Sequence, residues 1–346
     1  QPTDVTPDLT EYQYYLGAPP EGVNALAADS IPGARAGGLK LIDVEYGWNW
    51  THEDLPAPFD TLDVTSTIQS SRDHGTAVLG EMAARDNGYG VRGITPDLAV
   101  GSSGCYYRPV SDAILEAASV LGEGDMILIE QHAPGPLANG SGQYGYLPME
   151  FWQDCFDAIQ VCTAAGLVVI EAAGNGTQDL DRAEYNDLFD PDYRDSGAIM
   201  CGAADSTGDP YYWSNHGVRV DLNGWGGGVA STGYGNMYCD TECSEDTYYT
   251  WTFSGTSSAS PIVAGSVAAL QGMSRANLGL TLDAATRTAV AERLDAMPRD
   301  EHGTHRWDFA DLGLDERFQR LWRMYLAYCE AGFAEQRQQH DLQGEM

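Results

Sequence analysis

Lysine is nearly absent from this chain. Lys40 is the only one in 346 residues, and Lys and Arg together number 18 against 51 Asp and Glu, a formal charge of −33. A surface so short of cations repels phosphate, which excludes nucleic acid as a partner. It suits cations or basic substrates, or more plainly solubility in a salty habitat. The deficit is uneven: residues 275–346 carry a net −4 and residues 1–274 a net −29. No apolar run approaches the roughly 18 residues of a membrane span, so no membrane partner is expected. No secretory leader is evident and residue 1 is Gln rather than Met. A processed, secreted form is the expectation.

Cysteine, by contrast, is not scarce. Seven are more than a cytosolic enzyme needs, which leans extracellular. Cys239 and Cys243 lie in a polar loop and can close a small disulfide ring. Cys155 and Cys162 fall in one helical pattern, which separates them by about 10.5 Å, beyond disulfide reach. Cys105 and Cys201 stand in apolar contexts where a buried free thiol is the ordinary state.

The hydrophobic share, 43%, is ample for a large core, and one α/β domain with appendages is the simplest organisation. Strand-like runs (38–44, 98–102, 126–129, 167–172, 198–203) alternate with helical ones (75–84, 111–121, 149–165). That alternation predicts a mostly parallel sheet with helices on both faces. Chemistry then gathers beyond the carboxyl ends of strands, where Asp43 and Asn175 fall. Residues 134–147, 177–195 and 233–249 are rich in Gly, Asn, Asp and Tyr and read as decorated loops. Two amphipathic helices are expected at 282–297 and 315–333.

Four segments carry chemistry. Gly255-Thr256-Ser257-Ser258-Ala259-Ser260-Pro261 delivers a serine to the start of an apolar helix, beside N–H groups that can accept a developing oxyanion. A serine there needs a base, and the base an orienter. His74 in Asp73-His74-Gly75-Thr76 and Asp43 in Leu41-Ile42-Asp43 supply those types, and Asn175 in Ala172-Ala173-Gly174-Asn175-Gly176 supplies an amide donor. Together, in the order Asp, His, Ser, they resemble the subtilisin-like serine peptidases. The likeness runs over residues 11–272.

The resemblance implies a subtilisin-like three-layer fold and a secreted, monomeric serine endopeptidase acting on protein or peptide substrates. Ser257 would be the nucleophile, His74 its base, Asp43 the orienter and Asn175 an oxyanion donor. It also implies extended substrate pairing near Ser103 and Gly104 and near Gln131 and His132, over a floor of Ala172, Ala173 and Gly174. A structural Ca²⁺ would be held by the Asp54 carboxylate, the Asn87 amide and the carbonyls of Arg85, Tyr89 and Val91. Residues 1–10 would be a tail, 11–300 the catalytic domain and 301–346 a helical extension. Alternatives are a processing or cyclising peptidase of narrow range, an inactive binding module of the same fold, and a structural protein.

Two departures stand out. After Asp43 the family has a small residue and then Gly, where this chain has Val44 and Glu45. Its Ser-Leu-Gly before the cleft is Glu130-Gln131-His132 here. Glu130 either favours a basic residue before the scissile bond or sits in an internal polar pair.

Overall fold

The structure is a computed structural model and describes residues 5–18, 22–62, 65–239 and 242–282. The helices expected at 282–297 and 315–333, and with them the proposed extension, lie outside those residues. Seven strands form one parallel sheet in the order β2-β3-β1-β4-β7-β8-β9. They are β1 (Lys40–Glu45), β2 (Thr61–Leu62), β3 (Ala99–Gly104), β4 (Met126–Ile129), β7 (Val168–Ala172), β8 (Ile199–Ala204) and β9 (Leu222–Trp225). Two hairpins stand apart, β5 (His132–Pro134) with β6 (Tyr146–Pro148) and β10 (Val229–Thr232) with β11 (Tyr249–Phe253). A short helix α1 (Ala25–Ala28) precedes the sheet.

Helices cover both faces. α2 (Gln69–Ala83) and α5 (Thr256–Leu278) share one hydrophobic core with Leu41, Val100, Leu128 and Ile170. α3 (Val110–Ser119) and α4 (Gln153–Ala164) share the other with Ile42, Val44, Ile127, Ile129 and Val169. Side chains alternate along a strand. Asp43 and Glu45 therefore point with Leu41 toward α2 and α5, and Glu130 points there with Leu128. Glu171 falls on the opposite face, among the neighbours of Val169.

The sheet starts at its middle. The chain leaves β1, crosses to β3 on one side, then returns to β4 on the other. The crevice beyond the carboxyl end of β1 is the switch point where α/β sheets place ligands. Strand boundaries fall within two residues of the expected ones. α2 differs more: it starts at Gln69, so His74 sits inside it rather than before it. Residues 6–9 are not a loose tail, since Thr6 and Leu9 are buried and the Leu9 N–H bonds Gly90 O at 2.7 Å. The Cys239 and Cys243 sulfurs are bonded, whereas Cys105, Cys155, Cys162 and Cys201 are free and buried.

Candidate active site

α5 opens on Gly255, whose φ of 104° only glycine adopts without strain. A Cβ there would also press on Asn175 Nδ2. Ser257 is the second residue of α5, so its N–H belongs to the first turn, which has no intrahelical acceptor. Asn175 follows β7 and is held by its oxygen: Oδ1 accepts from Thr256 N–H at 2.8 Å and Thr256 Oγ1 at 3.1 Å. That leaves Nδ2 as the donor facing outward, where it meets Gln143 Oε1 at 3.3 Å. His74, Asn175 and Ser257 line one open cleft of about 1050 Å³.

The tripeptide around His74 is explained by packing. A Cβ on Gly75 would stand 2.4 Å from Gly47 O and 2.6 Å from the Trp48 ring, so glycine lets α2 seat against the segment after β1. Thr76 Oγ1 takes the Asn49 N–H at 2.8 Å. Burial holds the His74 imidazole below its ordinary pKa, opposed by nearby Glu130 and Asp43.

The carboxyl that meets the imidazole is not the expected one. His74 Nδ1 bonds Glu45 Oε2 at 2.8 Å. Asp43 instead accepts the Trp48 indole N–H at 2.7 Å through Oδ2. The reason is reach: both carboxyls lie on the α2 face, and Glu45 is the last residue of β1, nearer the cleft. A signal for this was present, since Tyr46 and Gly47 after Glu45 give the one-residue spacing to glycine that Val44 and Glu45 break. Trp48, Thr256, Ser260 and Gln143 are the other participants that the motifs did not reveal.

Glu130 is 5% exposed, and its Oε1 contacts the Ser260 hydroxyl. Ser260 Oγ also reaches Thr256 O at 2.8 Å. One hydroxyl proton cannot serve both acceptors. Given to Thr256 O, it leaves Glu130 as the donor, which needs a protonated acid. Burial pushes Glu130 the same way, well above the usual carboxyl range. His132 accepts the Asn175 N–H at 3.2 Å through Nδ1, and burial holds it at about 4. It is therefore neutral at pH 7.

A model of the peptidase S8 subtilase family matches residues 47–305. The chain belongs to the subtilase family. It is 27% identical over 285 residues to a thermophilic serine proteinase of Bacillus sp. strain AK1, covering 79% of this chain and 61% of that protein. It is 26% identical over 261 residues to subtilisin DY of Bacillus licheniformis, covering 72% and 83%. A solved structure of a protease from Pseudoalteromonas arctica PAMC 21717 shares the fold, with TM-score 0.54, 20% identity and coverage of 83% and 100%. The family match begins after β1, so within this subtilase the choice of Glu45 over Asp43 rests on the hydrogen bond to His74 and the Tyr46-Gly47 spacing.

Other expected residues fall elsewhere. Ser103 and Gly104 are buried in β3, where β2 pairs with Ser102 and Ser103, the Ser103 hydroxyl bonds Ala113 O and Gly104 O takes the Arg108 Nε–H at 2.7 Å. Ala172, Ala173 and Gly174 are buried beneath the cleft, while Glu130, Gln131 and His132 line it. On its free side β5 pairs His132 with Pro148 of β6.

Subtilases commonly bind structural calcium. In this chain the expected loop is drawn together by its own hydrogen bonds. Asp54 Oδ1 takes the Asn87 amide N–H and Oδ2 the Val91 N–H, both at 2.8 Å. Asn87 Oδ1 in turn takes the Tyr89 N–H at 3.2 Å. The Arg85 N–H bonds Asp54 O at 2.8 Å. The Asp54 carboxylate and the Asn87 amide oxygen, two of the expected ligands, are thus engaged by donors of the chain itself. Among the described residues no group of three or more His, Cys, Asp or Glu could hold a metal.

Proposed function

We propose that this subtilase is a serine endopeptidase working through an acyl-enzyme on Ser257. One observation carries the reading: a buried carboxyl bonded to Nδ1 of an imidazole that shares a cleft with a helix-start serine and an outward-facing amide. Glu45 holds the tautomer whose Nε2 is free to act as base. His74 takes the Ser257 proton as the hydroxyl attacks, and later gives it to the leaving amine. Asn175 Nδ2 and the Ser257 N–H receive the charge on the carbonyl oxygen. That oxygen replaces Gln143 Oε1 as the partner of Asn175.

The substrate is a peptide, bound extended. Tyr46, Tyr144, Tyr146, Tyr211, Tyr212 and Trp213 line the cleft and favour apolar or aromatic side chains. A neutral, Ser260-bound Glu130 offers no charge to a basic one, so the internal polar pair is the reading we adopt for it. Secretion is the setting we propose, since the Cys239–Cys243 disulfide persists in an oxidising compartment. Among the described residues no helix is long and apolar enough to cross a membrane.

The test is an active-site phosphonate with a peptide panel. The wild type is expected to be labelled at Ser257, Ser257→Ala not at all, and aromatic substrates to be cleaved faster than arginine ones. A wild type that neither labels nor cleaves would leave a binding module of subtilase fold.

A further inference from the structure

Three buried carboxyl oxygens around His74 have no hydrogen-bond partner among the described residues: Asp43 Oδ1, Glu45 Oε1 and Glu130 Oε2. Two belong to neighbours on one strand face. Asp43 and Glu45 are two residues apart on β1, so their side chains stand on the same side of the sheet. Each has spent its other oxygen, Asp43 on Trp48 and Glu45 on His74. Both residues are almost inaccessible, at 0% and 2% exposure. Two ionised carboxylates in that position would repel in a poorly screened site and leave two acceptors empty. One proton shared between them satisfies both.

We propose that Asp43 is a positioning residue whose carboxyl keeps its proton and donates it to the free oxygen of Glu45, joining Trp48, Asp43, Glu45 and His74 into one buried hydrogen-bonded chain. The inference rests on the peptidase reading of the same site. The pair carries a single negative charge, located on Glu45 where it faces the imidazole. During turnover that charge meets the imidazolium, and Asp43 neither gains nor loses a proton. Burial and the neighbouring Glu45 charge hold Asp43 well above the usual range; burial raises Glu45 as well, and there the hydrogen bond with Asp43 works against the rise.

The groups facing the pair from each packed element favour this arrangement. His74 comes from α2, Glu130 from the end of β4, Cys105 from the end of β3 and Tyr234 from the turn after β10. Glu130, Cys105 and Tyr234 bring no positive charge that would stabilise a second carboxylate. His74 is the one potential cation, and it is already matched to Glu45.

Asn is the isostere of a protonated Asp. Its oxygen can accept from Trp48 and its amide N–H can donate to Glu45, whereas Ala can do neither. Asp43→Ala should lower kcat roughly ten- to a hundredfold with KM little changed, short of the roughly 10⁴-fold that follows disabling an ionised orienter. Asp43→Asn should restore most of that loss. The infrared difference spectrum of wild type minus Asp43→Asn at neutral pH should contain the band of a protonated carboxyl. It needs neither catalysis nor the Ala variant, so it decides the matter if Asp43→Ala does not fold.

Several results would overturn the inference: Asp43→Asn as impaired as Asp43→Ala, Asp43→Ala with unchanged kcat, or a difference band from an ionised carboxylate. The two readings fail separately. If phosphonate fails to label the wild type while the protonated band is present, the peptidase reading falls and the proton placement stands. If the wild type labels but Asn neither restores kcat nor removes that band, the placement falls and the peptidase reading stands.

Discussion

At the scale of single residues, the site depends on which atom of each side chain is already committed. Asn175 commits its oxygen to Thr256 and so presents its amide. Asn175→Ala should cost roughly 10²–10³ in kcat with little change in KM, a figure measured on a subtilisin and borrowed from the family. A loss below threefold in steady-state kinetics would remove Asn175 from the oxyanion site. The serine, histidine and asparagine were legible because each needs a special local setting that leaves a trace in its neighbours. Gly255 makes room beside Asn175, and Gly75 makes room for Trp48. The orienter was not legible in the same way. Asp43 and Glu45 share a strand face, and periodicity of two cannot choose between them. The glycine spacing at Tyr46-Gly47 hints at Glu45, and the end of β1 and the position of His74 inside α2 decide.

At the scale of elements, the strands were readable because buried parallel strands are near-continuous apolar runs, as in Met126–Ile129. The decorated loops were not, because polar side chains and distant partners fix them. His52 shows how: its Nε2 bonds Tyr248 O at 2.8 Å and its Nδ1 takes the Asp54 N–H, which ties the loop after β1 to the loop before β11. A second tie lies under the far side of the cleft. Arg219 grips Glu150 with two bonds, 2.7 and 2.8 Å, both side chains being about 3% exposed or less. Breaking a buried pair leaves an uncompensated charge. Glu150→Ala should therefore destabilise the fold by about 3–5 kcal/mol, read as a lower denaturant midpoint with unchanged slope. A change under about 1 kcal/mol would mean that the Arg219 charge finds Asp221 sufficient.

At the scale of the whole molecule, the chain buries acids in a form that suits low pH. Burial raises Asp54 to about 7 and Glu171 to about 8, and pushes Asp43, Glu45, Glu81 and Glu130 upward as well. Their ordinary values are near 4, so the stability they contribute is full below that and is lost as pH rises toward 7 and 8. His52 and His132, lowered to about 4, act in the opposite sense, and their contribution is lost as pH falls from 6.5 toward 4. The acids outnumber the histidines, and the −33 net charge adds self-repulsion at high pH. Tm should peak near about pH 5 and decline toward pH 8. A Tm that climbs across that interval would show the buried acids to be ionised in the fold. The claim on which the enzyme reading turns is that Glu45 holds the imidazole. It is tested most directly by kcat for Glu45→Ala in protein shown to be folded by its melting curve. The account predicts a loss of roughly 10⁴-fold, the scale found for the equivalent deletion in a subtilisin, with KM retained. A kcat within tenfold of the wild type would contradict it.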